Sequence, residues 1–112
     1  MPLPLLLVIL SAVPLVVRAH ESIPRCTTVE PSNGKSGDIL TVNGENLSST
    51  IVAELYFTDG KDDIKAAMLE QTATAIKFKV PAKIAAGRWR LMVLTKGKEP
   101  KLIEQPVRVE IE

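Results

Sequence analysis

The stretch VEPSNGKSGDILTVNGENL, Val29 to Leu47, decides how this chain is read. It holds one apolar strand, Leu40-Thr41-Val42, between two dense sets of turn residues. Asn33-Gly34 lies on one side and Asn43-Gly44 on the other. Pro31 fixes its own φ, and the glycines admit backbone angles that a Cβ would penalise. The spacing predicts a strand ending at Val29 and a broad reversal from Pro31 to Gly37. A second strand with Leu40 and Val42 pointing inward comes next. Asn43-Gly44 is expected to break that ladder, Asn46 to hydrogen-bond the local backbone of the following loop, and Leu47 to tuck under the loop as an apolar plug. Two strand connections within nineteen residues account for the density of glycine, proline and asparagine.

The same grammar continues downstream. Ala53, Leu55 and Phe57 alternate with polar neighbours, as do Ile76, Phe78 and Val80, then Trp89, Leu91 and Val93, then Val107, Val109 and Ile111. Period-two alternation gives each strand one apolar and one wet face. Turn signals separate the runs: Asp59-Gly60, Pro81 to Gly87, and Gly97 with Pro100. Asp62 to Gln71 is rich in helix formers and opens on Asp, but about ten residues make a marginal helix. Lying between two strands with short turns, it is assigned to a strand. The expected fold class is all-β, an immunoglobulin-like antiparallel β-sandwich.

The chain has 112 residues, enough for one domain. Its first segment reads as a leader. Leu3 to Val17 is an apolar run shorter than the roughly 20 residues a membrane-spanning helix needs. Val17-Arg18-Ala19 offers a signal-peptidase site, so residues 1–19 are expected to be a signal peptide cleaved after Ala19. The run has no Lys or Arg before it, and a short membrane anchor is the other reading. Residues 20–25 form a short lead, and 26–112 the domain. Cleavage removes Arg18 and leaves 13 Lys+Arg against 13 Asp+Glu. Such neutrality argues against nucleic acid, whose binders neutralise phosphates with a basic excess. Cys26 is the single cysteine, so no internal disulfide exists. It reads as a small buried hydrophobe in the first strand; Ile23-Pro24-Arg25 before it does not suit lipid attachment.

The pattern Val29-x-Pro31-x-x-Gly34-x-x-Gly37-Asp38-x-Leu40-Thr41-Val42-x-Gly44-x-Asn46-Leu47 resembles the start of an IPT/TIG domain. The resemblance runs on through Leu55-x-Phe57, through Thr72-Ala73-Thr74-x-Ile76-x-Phe78-x-Val80-Pro81, and through Gly87-x-Trp89-x-Leu91-x-Val93. It spans roughly Cys26 to Glu112; Asp62–Gln71 departs from it. Such domains are immunoglobulin-like modules of cell-surface receptors, some transcription factors and many bacterial exported proteins. The resemblance implies an exported, non-enzymatic module that contacts a protein or carbohydrate partner at the cell envelope. Periplasmic, secreted and cell-surface locations all fit.

Catalytic residues are hard to find. His20, the only histidine, falls at the new N-terminus, where nothing positions it as a base; with the freed amine it is a candidate copper ligand. The glycines lack the G-x-x-x-x-G-K-[ST] spacing of a phosphate loop. Asp59, Asp62 and Asp63 cluster in a turn that offers oxygen ligands for Ca²⁺ or an acid for hydrolysis, but the spacing is not that of an EF-hand and Lys61 interrupts it. This is the alternative function. No catalytic residue and no cofactor are expected. Asn46-Leu47-Ser48 matches the glycosylation triplet, yet Asn46 already has a structural use. Trp89 is expected to face the core. Arg88, Arg90, Lys77 and Lys79 point outward; on one sheet face they would make a basic surface for a carboxylate-bearing partner.

Overall fold

The computed structural model describes residues 23–112. The expected signal over 1–19, its cleavage site and His20 lie outside them. Eight strands follow one another: β1 Arg25–Glu30, β2 Asn33–Gly34, β3 Ile39–Glu45, β4 Val52–Thr58, β5 Asp63–Gln71, β6 Ala75–Lys79, β7 Gly87–Thr95 and β8 Leu102–Ile111. Hydrogen bonding links them in the order β1-β3-β6-β5-β4-β7-β8-β2. Two layers result because β5 changes partner along its length. Asp63 to Ala66 pairs with β4, and Ala67 to Gln71 pairs with β6. Small alanines sit where the strand passes from one sheet to the other. The helix-like composition of this segment is overridden by neighbours that complete a ladder on each side.

Alternation places the core as expected except at the start of β4, where a register shift between Val52 and Glu54 buries Val52 and leaves Ala53 half-buried. Leu40, Val42, Leu55, Phe57, Ile76, Phe78, Trp89, Leu91, Val93, Val109 and Leu47 are all buried. Phe57 of β4 and Phe78 of β6 meet edge-to-face across the layers with ring centroids 5.7 Å apart. That pairing adds about 0.5–1.5 kcal/mol beyond its buried area. Trp89 faces inward, and its indole Nε1 donates to the Ala85 carbonyl at 2.9 Å.

Three details correct the sequence reading. First, Asn43-Gly44 does not break the ladder. β3 runs on to Glu45, with Gly44 opposite Cys26 in β1. The glycine answers a close approach: a Cβ there would stand 2.0 Å from the Arg25 carbonyl oxygen. Second, not every pair is antiparallel, because β2 runs parallel to the end of β8. Third, the Asn46 side chain reaches not its own loop but the Ile23 carbonyl, at 3.0 Å, from a backbone with φ of 57°.

β1 and β8 lie along each other without a continuous backbone ladder. The side chain of Gln105 closes the gap. Its Oε1 accepts from the Cys26 N–H at 2.6 Å and its Nε2 donates to the Pro24 carbonyl at 3.4 Å. Gln105 is one of two buried polar residues among those described. The adjoining Pro106 sits where the register shifts, since Arg90 faces Arg108 but Met92 faces Glu104. A residue without an N–H is tolerated at such a bulge. Further along, Glu110 N–H donates to the Ser32 carbonyl and Glu112 N–H to the Gly34 carbonyl, each at 2.9 Å.

Candidate functional site

The outward face of the sheet formed by β4, β7 and β8 is built in cross-strand rows. Thr58, Arg90 and Arg108 stand directly opposite one another on three adjacent strands, and Asp63 of β5 extends the row beyond Thr58. Arg88 faces Glu110 in the next row. Thr58, Asp59, Arg88, Arg90 and Arg108 line a cavity of about 150 Å³. A second concavity, of about 410 Å³, shares Arg90 and Arg108 and is completed by Glu104, Gln105 and Pro106. The arginine pair therefore forms a ridge between two hollows.

Charges here are unevenly matched. Arg90 is paired with Glu104, and Arg88 approaches Glu110 at 3.9 Å. The other ion pairs among the described residues are Lys65–Glu54 and Lys77–Glu70, so Arg108 takes part in none. Like charges directly opposite in a ladder repel. Thr58 is only 4% exposed. Its Oγ1 accepts from the Gly60 N–H at 3.1 Å, while its hydroxyl hydrogen has no acceptor among the described residues. Buried hydroxyls ordinarily find one. Beyond this row, Glu54 accepts from the Tyr56 hydroxyl and pairs with Lys65 at 3.0 Å. The Tyr56 bond, then Lys65, hold the Glu54 carboxyl below its ordinary range.

The basic residues singled out in the sequence do not share one face. Arg88 and Arg90 come together on β7, and Arg108 joins them. Lys77 and Lys79 lie on β6 of the other sheet, with β5 and β4 between it and β7 in the ladder order. Lys79 borders a different depression, of about 440 Å³, lined largely by Ala67, Val80, Pro81 and Ala82. Its other cation, Lys65, is already paired with Glu54. Thr58 and Arg108 were missed as site residues, because alternation marks them only as outward.

In the acidic turn, Asp59 accepts from the Lys61 and Asp62 N–H groups at 2.9 and 2.7 Å. Those bonds, the one from Asp62 first, hold its carboxyl below the ordinary range. Gly60 takes a φ of 93°, as the turn requires. Among the described residues no group of three or more His, Cys, Asp and Glu is placed to hold a metal ion. Cys26 is fully buried and its thiol is pushed up to about 12 by desolvation. A thiol so protonated is a poor nucleophile.

The model of the IPT/TIG domain matches residues 24–109. The chain belongs to the IPT/TIG family. No curated protein sequence matches it. Solved structures carry the same fold at low identity. An auxiliary nutrient binding protein of Bacteroides thetaiotaomicron is 20% identical with a TM-score of 0.57, over 80% of this chain and 21% of that one. One of Bacteroides ovatus is 16% identical with a TM-score of 0.55, over 80% and 21%. A candidate phosphatase of Bacteroides thetaiotaomicron is 20% identical with a TM-score of 0.56, over 80% and 18%. The IPT/TIG chain thus spans about a fifth of the length of the structures it resembles.

Proposed function

We propose that this IPT/TIG domain is a non-enzymatic, exported binding module. It presents the β4–β7–β8 face to a carboxylate-bearing protein or carbohydrate partner at the cell envelope. The observation that carries the reading is the meeting of Arg88, Arg90 and Arg108 around one cavity, with Arg108 free of any ion pair among the described residues. A rigid sandwich holds such side chains at low entropic cost, and planar guanidinium forks match carboxylates. Export rests on the apolar leader, with cleavage after Ala19. No helix among the described residues is long and apolar enough to cross a membrane. Two structures sharing the fold are named nutrient-binding proteins, which is congenial to a binding role.

A pull-down from envelope extract tests the reading. The double variant Arg88→Glu, Arg90→Glu is expected to lose the partners that the unaltered protein retains. Identical capture by both would remove it. The alternative, a Ca²⁺-binding or hydrolytic protein using Asp59, Asp62 and Asp63, is separated by thermal melting in a Ca²⁺ titration. A large saturating rise in Tm would favour that alternative over the present reading.

A further inference from the structure

We infer that the cavity at Thr58, Arg88, Arg90 and Arg108 is a subsite for the carboxylate of an acidic sugar, such as one unit of a uronic-acid glycan. This rests on the binding reading above and names its ligand class. Three observations converge. Thr58 lines the cavity while almost wholly buried, and its hydroxyl hydrogen has no acceptor among the described residues. Arg108 lines the same cavity without an ion pair among those residues. Arg90 and Arg108 face each other directly across the ladder, and Glu104 pairs with Arg90 alone, so the row keeps one cation for an anion to pair. A carboxylate carries two acceptor oxygens. One guanidinium fork takes both, and the Thr58 O–H donates a further bond to the same group.

The surroundings decide between an acidic sugar and an acidic peptide. Asp59, Glu104 and Glu110 lie among the three arginines. A peptide carrying carboxylates in series would meet repulsion there as often as attraction. A sugar unit carries one carboxylate and several hydroxyls, and those hydroxyls donate to Glu104 and Asp59. The second hollow, across the Arg90–Arg108 ridge, has room for a neighbouring unit.

Calorimetric titration of the full chain with trigalacturonate is the test. Neutral trigalactose, an oligo-glutamate of equal charge, sodium sulfate and sodium phosphate serve as parallel probes. Trigalacturonate is expected to bind and trigalactose not. Arg108→Gln should weaken binding about tenfold or more with Tm held, and Thr58→Ser, which keeps the hydroxyl, should bind like the unaltered protein while Thr58→Val binds several-fold more weakly. Arg108→Lys should fall between, keeping the charge and losing the fork. Binding of oligo-glutamate but not trigalacturonate overturns this inference and leaves the carboxylate-binding face standing. Sulfate or phosphate binding as tightly as the trimer overturns it too, since the sugar then contributes nothing. Absence of binding by every probe overturns it, and the pull-down separately decides the reading beneath.

Discussion

Replacing Gly44 by alanine puts the packing of β1 on β3 to a test of sign as well as size. Gly44 has no positive φ, so its backbone is one that alanine adopts without strain. By itself the change would stabilise the domain by about 0.4–1 kcal/mol, through a less free unfolded chain. The close approach of β1 reverses this. The new Cβ would stand 2.0 Å from the Arg25 carbonyl oxygen and 2.9 Å from the Cys26 Cα. Ordinary carbon–oxygen contact begins near 3.3 Å, so β1 must recede by roughly 1.3 Å. The obstacle is backbone and cannot rotate away. Overpacking costs about 1–3 kcal/mol. Displacement also stretches the 2.6 Å bond from the Cys26 N–H to Gln105 Oε1, worth about 1 kcal/mol. Set against the gain from a less free unfolded chain, the expected net loss is about 1–3.5 kcal/mol, a large share of a stability of about 5–15 kcal/mol. For a domain of this size that lowers Tm by about 5–25 °C. Thermal melts followed by circular dichroism read it. An unchanged or raised Tm would mean that β1 does not lie where the argument puts it.

Gln105→Leu leaves the Cys26 N–H and the Pro24 carbonyl without their partner. It should cost about 1–3 kcal/mol and speed hydrogen exchange at the Cys26 amide about tenfold or more; unchanged protection would contradict the role given to Gln105. Cys26 governs an alkaline effect. Its thiol is raised from 9.0 to about 12 in the fold, so its stabilisation is complete below pH 9 and is lost as pH climbs towards 12. Relative to Cys26→Ala, the unaltered protein should lose about 1.4 kcal/mol per pH unit above pH 9, read from urea midpoints at each pH. Parallel slopes in the two proteins would refute it.

Side-chain parity was the part of this fold most open to reading. It placed Leu40, Val42, Trp89 and their partners inward because one face of each strand must be dry. Gln105 obeys the same parity, two residues before Val107, but nothing local marked it as the side chain that closes β1 onto β8. Parity says nothing about which sheet a strand joins. Lys77 and Lys79 therefore looked like companions of Arg88 and Arg90, although β5 and β4 stand between them. Nor does it reveal that Thr58, nominally outward, is almost wholly buried. The contact that demands Gly44 arises between residues nineteen positions apart, and no local signal reports it. The candidate site was half legible, since Arg88 and Arg90 were on view and Arg108 emerged only once β7 and β8 were aligned.

The seam between β1 and β8 also has a mechanical meaning. Pro24 lies beside Gln105, and Ser32 and Gly34 beside Glu110 and Glu112, so the two segments run in the same direction. Tension applied at residue 23 and at residue 112 would slide them past each other lengthwise. The bonds from Cys26, Glu110 and Glu112 would then be strained together, not one after another as in a zipper. A domain loaded in shear in this way resists pulling far better than its thermodynamic stability alone would suggest.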